Sequence, residues 1–201
     1  MMILLFRQWQ IEELIQTLSI DIFFFFVKIN NFKERKNMKS KGIGGHQRAY
    51  EGRTDEWLTP PEIIQNLGPF DLDPCSPINR PWDTAEHHYT IEDDGLNKEW
   101  FGCIWMNPPY GSNTKYWLKK LADHGDGIAL IFARTETEMF QKWVWESANA
   151  LLFIYGRLYF YDVLGNRANN NSGGPSVLVG YGQRGVKKLK NSNINGKLVL
   201  I

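Results

Sequence analysis

The residues best suited to do chemistry stand together at Asn107, Pro108, Pro109 and Tyr110, within the stretch IWMNPPYGS. Two consecutive prolines fix φ twice and remove two backbone donors, so an apolar run that enters as a strand must leave as a stiff loop. That loop offers an amide side chain, free carbonyl oxygens and a flat ring. It is either a plain strand terminator with a packed tyrosine or a holder for a planar, amine-bearing ligand.

The lone pair of an aromatic amine is delocalised into its ring and is a poor nucleophile. Two acceptors set tightly on its hydrogens favour a pyramidal nitrogen and free that pair to attack. The Asn107 side-chain oxygen and the Pro108 carbonyl are the candidate acceptors, and the prolines keep the second one rigid. Tyr110 could stack on a base that has left the duplex, offsetting an unstacking cost of about a few kcal/mol. A methyl group on a sulfonium is an already activated electrophile, so the protein need only position and polarise.

Several elements must position such a loop. Thr59 as N-cap, Pro60 at the first helical position and Glu62 in the first turn predict a short helix over 60–67. Residues 70–73 (FDLD) alternate and end at Pro74, which predicts a strand, and a weak helical spacing runs through Trp82, Ala85 and His88. Residues 102–106 predict the strand that feeds the Pro-Pro loop. Helical spacing through Tyr116, Leu118 and Leu121 ends at Gly125, and the continuous apolar run 127–133 (GIALIFA) fits a strand buried on both faces. A helix is expected over 137–149, strands over 150–155 and 157–162, and a polar loop over 164–174 that turns back into a strand at 176–181 as a hairpin. Strands alternating with helices and closing in an antiparallel pair predict an α/β sheet of Rossmann type. Ligands of such sheets sit outside the carboxyl ends of the strands, where both Asp71-Leu-Asp-Pro-Cys75 and Asn107-Pro-Pro-Tyr110 fall.

Taken with its surroundings, Asn107-Pro-Pro-Tyr110 resembles the catalytic tetrad of amino-group methyltransferases that use S-adenosylmethionine. Trp57-Leu-Thr-Pro-Pro61, Phe70-Asp-Leu-Asp-Pro-Cys-Ser76, Tyr89-Thr-Ile-Glu-Asp-Asp-Gly-Leu96, Trp100 and the tetrad, in that order, resemble the phage-type DNA N-6-adenine methyltransferases over roughly residues 55–181. The resemblance implies Asn107, Pro108, Pro109 and Tyr110 as catalytic and base-holding, and Thr59, Pro60, Asp73, Pro74, Cys75 and Asp94 as cofactor-binding. It implies an abbreviated Rossmann-like methyltransferase sheet with a C-terminal antiparallel hairpin, S-adenosylmethionine as cofactor, double-stranded DNA as partner and no obligate protein partner. The setting it suggests is the cytoplasm of a bacterial host, for a phage- or prophage-encoded enzyme that protects DNA from restriction. Cytosine N-4, RNA and a protein glutamine amide are alternative substrates, and a non-catalytic DNA-binding remnant is the alternative outside the enzyme class. One departure concerns the cofactor side: Asp73 is followed by Pro-Cys-Ser-Pro where a glycine-rich loop is usual. With only about thirty residues between Asp73 and Asn107, and a dozen or more needed for each parallel crossover, several helix–strand units of larger relatives have no room.

Charge adds a second candidate surface. The chain of 201 residues has a formal net charge of +1, so the whole molecule does not advertise a polyanionic partner. Yet no Asp or Glu follows Asp162, whereas Arg167, Arg184, Lys187, Lys188, Lys190 and Lys197 do. That segment can lie along phosphates, with Lys187, Lys188 and Lys190 as DNA contacts, or be a solvated tail. Arg134 and Thr135, after the 127–133 strand, could face DNA or the pocket. Two cysteines make neither a disulfide framework nor a zinc site, no metal is expected, and Glu92, Asp93 and Asp94 suit a solvated turn better than a metal cluster.

The amino-terminal segment stands apart. Residues 20–29 (IDIFFFFVKI) are too short to span a bilayer and carry Asp21, while 1–18 has amphipathic spacing. A purine-rich coding stretch for residues 33–37 ahead of in-frame Met38 leads to the expectation that 1–37 is a non-native upstream extension. Residues 38–54 then form a flexible lead-in, 55–183 the methyltransferase domain and 184–201 a basic tail.

Overall fold

The computed structural model describes residues 56–201, so the readings of 1–37 and of the lead-in over 38–54 lie outside the described residues. Seven strands form one mixed sheet: β1 (Leu72–Asp73), β2 (His87–His88), β3 (Ile104–Met106), β4 (Gly127–Phe132), β5 (Ala150–Ile154), β6 (Ser176–Tyr181) and β7 (Gly196–Leu200), in the order β2-β1-β3-β4-β6-β5-β7. β2, β1, β3 and β4 are mutually parallel, and β6, β5 and β7 follow in antiparallel alternation. The chain leaves β1 to one side for β2 and returns to its other side for β3. Such a reversal opens a crevice at the carboxyl ends of the strands.

Among the described residues, four helices cover both faces: α1 (Pro61–Leu67), α2 (Thr114–His124), α3 (Glu138–Phe140), which runs on as a π-helical turn over Gln141–Trp145, and α4 (Gly182–Asn191). Side chains on β4 alternate between two apolar clusters. Ala129 and Ile131 join Trp117, Leu118 and Leu121 of α2 with Phe140 and Val144, whereas Ile128 and Leu130 join Ile63 and Leu67 of α1 with Leu189 of α4. This two-sided burial is why 127–132 reads as an unbroken apolar run.

Local signals hold at several ends and fail at others. α2 stops where Gly125 takes φ 74° and its amide bonds the Leu121 carbonyl at 2.9 Å. Its inward face is Thr114, Trp117, Leu118 and Leu121, with Tyr116 exposed instead. α1 begins one residue later than expected, after Pro60, so Thr59 is not an N-cap. The segment expected as a helix through Trp82 and His88 is bends ending in edge strand β2. Residues 157–162 form no ladder: only Tyr161 makes bridges, to Leu58 and Arg167, and the long-looped hairpin is β5 with β6. Residues 184–201, read as a tail, supply most of α4 and all of β7, an edge strand on β5.

Candidate active site

β3 delivers Asn107 to the crevice directly from three fully buried residues, Ile104, Trp105 and Met106. The Asn107 amide nitrogen donates to the Trp57 carbonyl at 3.1 Å. A carbonyl cannot donate, so this bond fixes which way the amide faces. Asn107 Oδ1 is left buried with no hydrogen-bond partner among the described residues. A buried acceptor without a donor costs about 1–3 kcal/mol, and such a group calls for an explanation. Trp57 is held in turn by paired backbone bonds between Leu58 and Tyr161, at 2.8 and 3.1 Å.

The rest of the loop is tied from α2. Thr114, 3% exposed, accepts from the Gly111 amide at 3.0 Å and donates to the Pro109 carbonyl at 2.8 Å. No donor among the described residues meets the Pro108 carbonyl. The Tyr110 hydroxyl points inward at the Leu130 carbonyl, 3.5 Å away, and its ring lies against Phe132 with centroids 4.5 Å apart. Burial of that oxygen pushes the phenol's ionisation up, so it is neutral at any ordinary pH. The residue as a whole is 43% exposed, which leaves ring surface free for stacking.

On the β1 side, Asp73 is 4% exposed and accepts from the Cys75 amide at 3.1 Å and the Thr84 hydroxyl at 2.5 Å. Burial pushes its pKa up to about 6, outweighing those two bonds. His88 steadies Thr84: the Thr84 and Ala85 amides both donate to its Nε2 at 3.3 Å. Burial and then the Arg80 cation lower the His88 pKa, keeping the ring able to accept. The Cys75 thiol donates to the Asn107 carbonyl at 3.4 Å and joins the two loops. Thr59, freed from capping, has a buried hydroxyl with no partner among the described residues.

These positions, brought together from residues 57 to 110, lie within the span that a family model matches. A model of the DNA N-6-adenine-methyltransferase (Dam) family matches residues 47–194. The chain belongs to that family. No curated protein and no solved structure matches it. Family membership makes it a methyltransferase-type enzyme with DNA as substrate class, and hence in need of a methyl donor.

In this Dam-family chain Asp94 is exposed, adopts φ 55° and accepts from the Asn97 amide at 2.7 Å. Its turn lies directly on the Asp73 loop, since a Cβ on Gly95 would come within 2.0 Å of the Pro74 carbonyl oxygen. Lys120 of α2 holds the same turn by donating to the carbonyls of Gly95 at 3.3 Å, Leu96 at 2.7 Å and Lys98, with its charge over Trp100. Asp93 serves the turn too, accepting from the Thr90 amide at 2.8 Å, and no three His, Cys, Asp or Glu among the described residues could share a metal. Arg134 sits over the Phe132 ring, 5.8 Å from its centroid, beside Tyr110.

The basic C-terminal residues go elsewhere. Lys188 donates to the carbonyls of Leu67, at 3.1 Å, and Pro69, and Arg184 pairs with Asp71 at 3.1 Å and Asp126 at 2.5 Å. Pro69, Asp71 and Asp126 all precede parallel strands, so these two cations serve the edge opposite the crevice. Lys187 and Lys190 are exposed on α4. Sequence reasoning missed Thr84, Thr114, Lys120 and the Trp57 carbonyl. Of these only Thr114 carried a signal, a threonine three residues after Gly111 at a helix start.

Proposed function

We propose that the protein is an S-adenosylmethionine-dependent DNA methyltransferase that modifies the N-6 amine of an adenine drawn out of the duplex, on an abbreviated Rossmann-like sheet. The observation that carries the reading is the buried, unpartnered Asn107 Oδ1, left free because the Trp57 carbonyl takes the amide nitrogen. It is an acceptor without a donor, beside a second open acceptor on Pro108 and a part-exposed ring on Tyr110. The two acceptors take the two hydrogens of the adenine amine, concentrate the lone pair on nitrogen, and do so without rearrangement because the prolines and Thr114 set the loop in advance. Tyr110 stacks on the extruded base and compensates for the stacking it left.

The residues present suit the methyl donor. Asp73, Pro74 and Cys75 from β1, Thr59 and Pro60 from the α1 entrance, and Asp94 from the adjoining turn would hold it, with acids suited to its ammonium and hydroxyls and with the free Thr59 hydroxyl as a further polar contact. When bound, it supplies a methyl group made electrophilic by a sulfonium. Arg134, next to Tyr110, faces DNA. The biological setting we propose is a phage or prophage enzyme acting in the bacterial cytoplasm.

Expression in a methylation-deficient bacterium, followed by sequencing that detects methylated bases, tests the reaction. N-6-methyladenine at a defined sequence with the parent, and none with Asn107→Ala, is the expected result. Methylated cytosine, or methyl transfer to RNA or a glutamine amide alone, would move the assignment to that substrate, and unchanged transfer by Asn107→Ala would exclude the mechanism.

A further inference from the structure

A second feature lies on the same sheet edge, several strands away from Asn107. β4 and β5 run in the same direction while β6 and β7 run opposite, so the ends of β4 and β5 and the beginnings of β6 and β7 share one edge. The register states it residue by residue: Phe132 pairs with Ser176, Phe153 with Val177, and Ile154 with Gly196. Phe132 is also the ring on which Tyr110 rests. A line therefore leads from Tyr110 through Phe132 and across β6 and β5 to β7. From Phe132 to β7, three inter-strand steps of about 4.8 Å make roughly 14 Å, close to four base-pair steps of duplex DNA at about 3.4 Å each.

At the far end is an open cleft of about 610 Å³ whose lining includes Tyr155, Arg157, Asn195 and Lys197 and contains no acid. Tyr155 is 79% exposed. Arg157 and Lys197 are exposed, and among the described residues neither they nor Arg134 takes part in an ion pair, whereas Arg80, Lys119, Lys142 and Arg184 all do. Between the two ends the surface is kept low by glycine. Gly174 lies on the Phe132 ring, and a Cβ on Gly156 or Gly173 would meet nothing within 4 Å. Unpaired cations, an exposed ring and bare backbone along one edge suit a polyanion that passes close to the main chain.

We propose that this edge is the track for the duplex beside the target adenine, with Arg157 and Lys197 as distal clamps on its phosphates and Tyr155 between them. The proposal rests on the DNA-methyltransferase reading and adds where the flanking DNA lies. It also moves the main phosphate contact from the α4 lysines to the loop after β5 and the start of β7.

The test measures binding of a short duplex to the full chain across a salt series, for the parent, R157A/K197A, the charge-preserving R157K/K197R, and K187A/K190A, with methyl transfer followed separately. All four positions are exposed, and thermal unfolding confirms that each variant is folded. Removal of two phosphate contacts should make the slope of log affinity against log salt shallower by about 1.8, at about 0.9 per contact. R157A/K197A is expected to show this loss together with a raised KM for DNA and an unchanged kcat, and R157K/K197R to restore the slope. An unchanged slope in R157A/K197A, or a loss confined to K187A/K190A or to single-stranded DNA, would overturn the proposal while leaving the methyltransferase reading intact if the parent still methylates adenine. A parent that binds duplex through Arg157 and Lys197 but transfers no methyl group would instead overturn the reaction and leave the track standing.

Discussion

The Cys75 thiol lies 3.4 Å from the carbonyl oxygen of Asn107 and is the direct polar link between the loop after β1 and the loop after β3. Burial first, and then the nearby Asp73 charge, hold this thiol well above the usual cysteine range, so it acts as a neutral donor and not as a nucleophile. Cys103, buried beneath the sheet, is pushed up to about 11 by burial. At neutral pH both should resist alkylation in the folded protein and react promptly in denaturant. Peptide mass spectrometry after iodoacetamide treatment checks this, and rapid labelling of folded Cys75 would show that the two loops are not joined as described.

Thr114 sets the tetrad loop through two hydrogen bonds from one hydroxyl. Thr114→Val keeps the shape but removes the bonds to the Gly111 amide and the Pro109 carbonyl, at a net cost of about 0.5–1.5 kcal/mol per bond in stability. In the proposed mechanism the loop's geometry is the catalytic device, so kcat should fall further than that loss suggests. A displacement of about 1 Å can cost on the order of 100-fold. Cofactor affinity should change little, and Thr114→Ser should recover most of the activity; steady-state kinetics beside equilibrium unfolding separates these effects.

Asp73 makes stability and binding depend on pH in opposite senses. Its folded pKa of about 6 is above the ordinary 3.8, so the folded state binds its proton more tightly than the unfolded chain does. The associated stability is complete below about pH 4 and is lost as pH rises through 6, by roughly 3 kcal/mol for about two units at 1.36 kcal/mol each. Asp73→Asn should lose that slope, measurable as denaturation midpoints between pH 4 and 7. On the proposed contact with S-adenosylmethionine, a cationic donor prefers the ionised carboxylate, so its affinity should rise with pH through about 6 in the parent and stay flat in the variant, as calorimetric titration would record.

Tyr110 should matter as a ring and not as an acid. Its hydroxyl makes only a long contact at 3.5 Å and stays protonated, so Tyr110→Phe should retain activity without a new pH dependence. Tyr110→Ala removes the proposed stacking contact, worth about 1–3 kcal/mol per base, and should raise the KM for DNA accordingly. Equal losses in both variants would assign the role to the hydroxyl.

What the sequence determined by itself was local. The Pro-Pro pair ends β3 whatever surrounds it, because its φ angles and missing donors are covalent properties. Gly125 stops α2, and the unbroken apolar run 127–132 announces a strand covered on both faces, because conformation and burial at those sites are set by residues adjacent in the chain. The motif order from Trp57 to Tyr110 was enough to indicate the family that the match over 47–194 establishes.

Tertiary structure decided what the motifs do to one another. Asn107 could be named from sequence, but the direction of its amide depends on the Trp57 carbonyl, 50 residues away, and the Asp73 carboxylate depends on Thr84 and His88. Thr59 read as a helix cap until the chain entered α1 one residue later and left its hydroxyl free in the interior. The basic C-terminus read as one surface, yet folding turned Arg184 and Lys188 to the edge opposite the crevice and carried Lys197 to the crevice edge of the sheet on β7. Charge is a property of each residue, whereas the side of the sheet it faces is set by strand direction and register across the whole domain.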